Sequence, residues 1–110
     1  MPNPCQFTPT PTNPNCSFRG TAGTQVTVEV KDIAGSVDFA TAKYNGTDIP
    51  DTPAKSITFT LAAGSHDLEV VYTFTDPVAG RGELREVCDA NTFLKEVRAA
   101  NKAVAYTICA

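Results

Sequence analysis

From Gln25 onward apolar and polar residues alternate, which is the pattern of a strand with one buried face. Val26, Val28 and Val30 point one way, while Thr27, Glu29 and Lys31 point the other. A turn at Asp32-Ile-Ala-Gly35 leads into Val37, Phe39 and Thr41, which alternate with Asp38, Ala40 and Ala42. Asn45-Gly46, after Tyr44, is the strongest short signal for a two-residue hairpin turn. Beyond it, Ile49 and the Pro50…Pro53 pair end any long ladder, because proline donates no backbone bond. Ile57, Phe59 and Leu61 alternate with Ser56, Thr58 and Thr60. Leu68, Val70, Tyr72 and Phe74 do the same against Asp67, Glu69, Val71 and Thr73. Residues 76–82 read as a loop by composition, and 83–88 and 104–109 as two further strands.

Strands at short spacing with turn signals between them predict a mainly β, antiparallel β-sandwich of about six or seven strands. The expected core is Val26, Val28, Val30, Val37, Phe39, Ile57, Phe59, Leu61, Leu68, Val70, Tyr72, Leu84, Val104, Tyr106 and Ile108. One segment breaks the alternation. Ala90, Phe93, Leu94, Val97 and Ala100 are spaced like one face of a helix, with Asp89 as N-cap and Arg98 and Lys102 near the C-terminal end. This predicts a short helix near residues 90–101, with a strand over Thr92 to Arg98 as the alternative.

Residues 1–15 are Pro, Thr and Asn with little to bury, and read as an N-terminal arm preceding a single domain over 16–110. Phe7 and Phe18 flank that arm, either pinning it to the sandwich or standing as exposed apolar contacts. At 110 residues the chain has room for one domain. Hydrophobic residues at 42% and charged residues at 19% exclude a wholly disordered chain. No apolar run is long enough for a transmembrane helix. The net charge of -3 argues against an electrostatic grip on nucleic acid or anionic lipid. The expected partner is a protein or a cell-surface or glycan ligand, with no nucleic acid and no membrane insertion.

Cys5, Cys16, Cys88 and Cys109 form an even set in a short chain, which is the arithmetic of a disulfide-stapled exported protein. The expected site is secreted, periplasmic or cell-surface, with a signal sequence removed, since the opening residues lack a basic start and an apolar stretch. Zinc is discounted: no two cysteines have C-x-x-C spacing, and His66 is the sole histidine. The expected pairing is Cys5–Cys16, closing the arm, and Cys88–Cys109, joining strand ends. A helix or an extra strand between the last two strands would bring Cys88 and Cys109 to the same end of one sheet.

Candidate chemistry is sparse. His66 follows a Gly-Ser turn, and its neighbour Asp67 would face the other way in a strand. Ser17, Ser36, Ser56 and Ser65 have no nucleophile-elbow context. Asp48, Asp51, Asp67, Asp76 and Asp89 match no calcium-loop spacing. Tyr44, beside the hairpin turn, is the one aromatic free to stack on a sugar. Asn15-Cys-Ser17 and Asn45-Gly-Thr47 match the glycosylation sequon. The sequence thus predicts no catalytic residues, no metal and no cofactor. Its candidate binding residues are Tyr44, Asn45, Asp48, Asp51, Phe7 and Phe18.

The run from Ser56 to Tyr72, in which a strand ends at Gly-Ser-His66 and the next begins Leu-x-Val-x-Tyr72, resembles bacterial immunoglobulin-like and fibronectin III-like modules. Ala42-Lys-Tyr-Asn-Gly46 fits the same context, and the likeness covers about residues 25–76. The chain departs from that pattern in lacking Trp, and with it the buried Trp–disulfide core of immunoglobulin domains. The resemblance implies a scaffold, adhesion or binding unit without catalytic residues. The expected function is a non-catalytic exported binding or display module. The alternative is a small secreted inhibitor or effector acting on a protein partner through Phe7 or Phe18, and a small hydrolase is disfavoured.

Overall fold

The computed structural model describes residues 5, 7–9, 15–50 and 52–110, and the strands fall into two sheets. The first sheet holds β1 (Thr8–Pro9), β2 (Phe18–Arg19), β4 (Val37–Tyr44), β5 (Thr47–Asp48), β7 (Ser65–Phe74) and β10 (Ala103–Cys109). Its spatial order is β1-β2-β10-β7-β4-β5, antiparallel except for the parallel pairing of β2 with β10. The second sheet holds β3 (Gln25–Ala34), β6 (Ser56–Thr60), β8 (Arg81–Glu86) and β9 (Asp89–Arg98), ordered β6-β3-β8-β9 and antiparallel throughout. The two sheets share one apolar core, the arrangement of a β-sandwich. Tyr44 of the first sheet meets Phe59 of the second with ring centroids 4.8 Å apart.

Alternation places most side chains as expected. Every expected core residue is buried except Val104, which is half-buried and packs against the core. The Asn45-Gly46 corner has φ of 51° and 77°, the left-handed pair that a two-residue hairpin requires.

Two departures share one cause, the β-bulge. In β4 the register against β7 shifts between Phe39 and Thr41. The extra residue changes which face each later side chain meets, so Ala42 and Tyr44 turn inward where strict alternation would leave them outside. A second irregularity explains the segment that looked helical. β9 pairs with β8 through Leu84↔Lys95 and Arg85↔Phe93, so Leu94 is passed over by the ladder. Leu94 and Val97 are then both buried at a spacing of three, which imitates a helix face. The expected helix near 90–101 is therefore a strand, followed by a single 3₁₀ turn at Ala99–Asn101.

The disulfide pairing also differs from expectation. Cys5 bonds Cys88 and Cys16 bonds Cys109, each with a Cα separation of 5.8 Å. β8 lies in one sheet and β10 in the other, so Cys88 and Cys109 do not finish beside each other. The N-terminal segment takes both bonds instead. Cys16 leads into β2, whose parallel register sets Arg19 opposite Cys109. The Phe7 N–H donates to Oε1 of the buried Glu86 at 2.7 Å. Phe7 and Phe18 stack with centroids 5.1 Å apart, and both rings are core.

Truncating Phe18 to Ala is expected to cost about 3–5 kcal/mol in a denaturant titration, the usual range for a buried Phe. A near-neutral result would contradict its place in the core. Non-reducing peptide mapping is expected to recover Cys5–Cys88 and Cys16–Cys109, and recovery of Cys5–Cys16 would contradict the topology.

Candidate functional site

The sequence-derived candidates separate into three groups. Phe7 and Phe18 are buried and offer no exposed contact, which corrects the reading of them as binding residues. Tyr44 is likewise buried by the bulge in β4, and its Oη accepts the Ala62 N–H at 3.0 Å. It is therefore not free to stack on a sugar. Asn45 and Asp48 are exposed on the β4–β5 hairpin, where Asp48 lies 3.9 Å from the Lys43 Nζ. Asp51 lies outside the described residues. Tyr44, Asn45 and Asp48 do come together with Ile49, Pro50 and Phe59 along a groove of about 300 Å³ between this hairpin and β6.

Metal chemistry finds little to build on among the described residues. Cys5, Glu86 and Cys88 place their ligand atoms within 4.8 Å of one another. The two sulfurs are bonded together, and the Glu86 carboxylate already accepts the Phe7 N–H. The His66 Nε2 lies 2.8 Å from the Ala63 carbonyl oxygen, and its ring stands edge-on to Tyr44. That is a turn-bracing role.

A different feature stands out at one end of the sandwich. The β3–β4 turn is anchored from beneath by Lys55, whose Nζ lies 2.5 Å from Asp32 Oδ1 and 3.3 Å from Asp38 Oδ1. The same ammonium donates to Ser36 Oγ and to the Val37 carbonyl. Burial alone lowers the Lys55 pKa, but the hydrogen bonds to Asp32 and Asp38 outweigh it and raise the value. The Lys55 hydrogen bond, followed by the Val37 N–H, holds the Asp32 carboxyl below its ordinary range.

This turn is tied to the loop between β7 and β8. The Ser36 N–H donates to Thr75 Oγ1 at 2.8 Å, and the Thr75 N–H donates to the Ser36 carbonyl at 3.0 Å. Within the loop, Asp76 Oδ1 accepts the Val78 and Ala79 N–H groups at 3.0 and 2.9 Å. The Gly80 N–H closes the turn onto the Asp76 carbonyl at 3.1 Å. Gly80 admits no side chain, because a Cβ there would overlap that carbonyl oxygen and stand 2.8 Å from the Phe74 ring. The Ala99 N–H, at the start of the 3₁₀ turn, donates to the Gly80 carbonyl at 3.0 Å.

The outcome is a braced apolar tip. Val78 is 86% exposed in the β7–β8 loop, and Ile33 is 39% exposed near the end of β3, where the register shifts between Asp32 and Ala34. Sequence reasoning read residues 76–82 as a loop and did not single out Val78. The available signal was Asp76-Pro77, a turn-initiating pair immediately before an aliphatic residue.

No protein family, no characterised protein and no solved structure matches the chain.

The pH behaviour of the β7–β8 loop follows Asp76. The Ala79 and then the Val78 N–H bonds stabilise its carboxylate and lower its pKa. A depressed folded pKa means the carboxylate's contribution is present above the unfolded value of about 3.9 and is lost as pH falls through the lower folded value. The Val78 and Ala79 amide resonances are expected to titrate with a midpoint below about 3.9. A midpoint at or above that value would contradict the double cap.

Proposed function

We propose that this chain is a non-catalytic exported binding or display module with an immunoglobulin-like sandwich, contacting its ligand through the end that carries Ile33 and Val78. The observation that carries this reading is the bracing of that end. Two turns hydrogen-bond to each other while lifting Val78 almost fully into solvent. A pre-ordered tip loses little conformational entropy on binding, which is how rigid loops convert modest contact into affinity. Exposing aliphatic side chains on such a support costs solubility, and contact with a ligand offsets that cost.

The strand pairing supports the immunoglobulin-like reading. In that fold one sheet pairs strands B and E, and the other runs C, F and G. Here β3 pairs with β6, β4 with β7, and β7 with β10, matching B–E, C–F and F–G in chain order. β5 beside β4 corresponds to the extra C′ strand of variable-type domains. The β8–β9 hairpin is additional: it leaves the F–G connection and joins the other sheet beside β3.

Two long-range disulfides are consistent with an exported protein. No helix among the described residues is long and apolar enough to cross a membrane. The inhibitor or effector alternative drew on Phe7 or Phe18 being presented on a rigid arm, and their burial removes that basis.

Screening the immobilised protein against a glycan array and against extracellular proteins tests the proposal. A ligand bound by the wild type is expected to be lost with Val78→Asp, while the variant's stability stays within about 0.5 kcal/mol because the side chain is 86% exposed. Binding that survives both Val78→Asp and Ile33→Asp would refute the assignment of this end.

A further inference from the structure

The outer strands of the two sheets are not equivalent. β1 and β5, at the margins of the first sheet, are two residues each. β9 carries Lys95, Glu96 and Arg98 and departs from its ladder at two register shifts. Short strands, charges and bulges are the devices by which sheet edges discourage pairing with another chain. Among the described residues, β6 is covered only at its leading end, where Ala54, just before it, exchanges backbone bonds with Phe39 of β4 at 2.8 and 3.0 Å. Its sequence Ser56-Ile-Thr-Phe-Thr60 contains no charge and no proline, and its register against β3 runs without a shift.

The hydrogen-bond phase of β6 shows which groups are left over. The Val30 N–H donates to the Lys55 carbonyl, and the Leu61 N–H donates to the Thr24 carbonyl. Odd-numbered residues therefore bond to β3, and Ser56, Thr58 and Thr60 turn their N–H and C=O groups away from it. All three are exposed, and no described residue takes those backbone groups.

From this edge we infer that the chain forms a two-fold dimer in which β6 pairs antiparallel with β6 of a second copy, about an axis through Thr58. The strand is complementary to itself in that register. Thr58 faces Thr58 of the second copy, Ser56 faces Thr60, and Ile57 faces Phe59. Hydroxyl and apolar cross-strand pairs of these kinds are stabilising. The row of hydroxyls already exists within one chain, where Thr27 Oγ1 and Thr58 Oγ1 lie 2.8 Å apart. The nearest charge along the strand, Lys55, falls opposite Leu61 and not opposite another charge. For a chain of net charge -3, an uncharged edge is where self-association meets least repulsion. The groove lined by Tyr44, Asn45, Asp48, Ile49, Pro50 and Phe59 runs beside this edge, so the second copy would also cover its apolar side chains, next to an Asp48 that Lys43 offsets. A two-fold contact uses up both copies of β6, and the guarded remaining edges then stop growth at two chains.

The dimer is independent of the loop-end proposal, and its test uses the disulfide-intact chain alone. Sedimentation over a concentration series reaching about 1 mM, suited to a small and weak interface, is expected to show monomer passing to dimer. Hydrogen exchange is expected to slow with concentration at the Ser56, Thr58 and Thr60 amides. Thr58→Lys places two like charges at the axis on an exposed position, and should raise the dissociation constant at least about tenfold. Glu96→Lys on the β9 edge should leave it unchanged. The inference is overturned by a monomer at every concentration, the result expected if this edge serves a strand from another protein. It is equally overturned by a dimer whose β6 amides exchange at the monomer's rate, or by one that persists undiminished in Thr58→Lys. Near-UV circular dichroism checks that the variants fold, and the exchange measurement on the unmodified chain stands without them.

Discussion

Two bonds between sulfur atoms enclose nearly the whole chain. Cys5–Cys88 and Cys16–Cys109 span sequence separations of 83 and 93 residues, and the loops they close overlap from Cys16 to Cys88. A cross-link over that distance removes far more freedom from the unfolded chain than a local staple, about 4–5 kcal/mol each on the chain-entropy account. The geometry matters as much as the energy. One bond reaches the turn after β8 in the second sheet, and the other reaches the end of β10 in the first. The N-terminal segment thereby belongs to both layers, and Phe7 and Phe18 can stack in the core because their flanking cysteines are fixed on either side.

Much of this fold was legible in the residues, and the reason is the two-residue period of a half-buried strand. Val26, Val28 and Val30, or Leu68, Val70 and Tyr72, can be assigned inward without a structure because nothing interrupts their alternation. The period fails where a bulge inserts a residue, and local sequence does not announce one. Ala40 in β4 and Leu94 in β9 look like ordinary strand or helix residues. Each nevertheless shifts the residues after it, so that Tyr44 moves into the core and Val97 joins Leu94 there. The cysteine pairing was illegible for a different reason. It depends on which sheet the last strand enters, a choice made by contacts remote in sequence.

The proposed binding end was half legible. Asp76-Pro77 marks a turn, but the bracing by Ser36, Thr75 and Gly80 joins segments about forty residues apart. The core's few polar groups show the same economy. The Tyr72 and Tyr106 hydroxyls meet at 2.9 Å, and burial pushes both phenols above their ordinary pKa, Tyr72 the more strongly. One hydroxyl donates and the other accepts, so each buried phenol oxygen has a partner where water does not reach.

The parallel alignment of β2 with β10 has a mechanical meaning. These strands are neighbours in register, with Cys16 and Cys109 joined beside them. Tension applied between the two ends of the chain would travel from the N-terminal residues through that sulfur bridge to Ala110. The strands between Gln25 and Phe74 lie off the shortest covalent route and would carry almost none of it. Even with every weak bond broken, the stretch from Cys5 to Cys16 could reach no more than roughly 35–40 Å end to end before covalent bonds bore the force. The molecule would therefore act as a nearly inextensible link under pull, with its β4–β7 ladder left at rest.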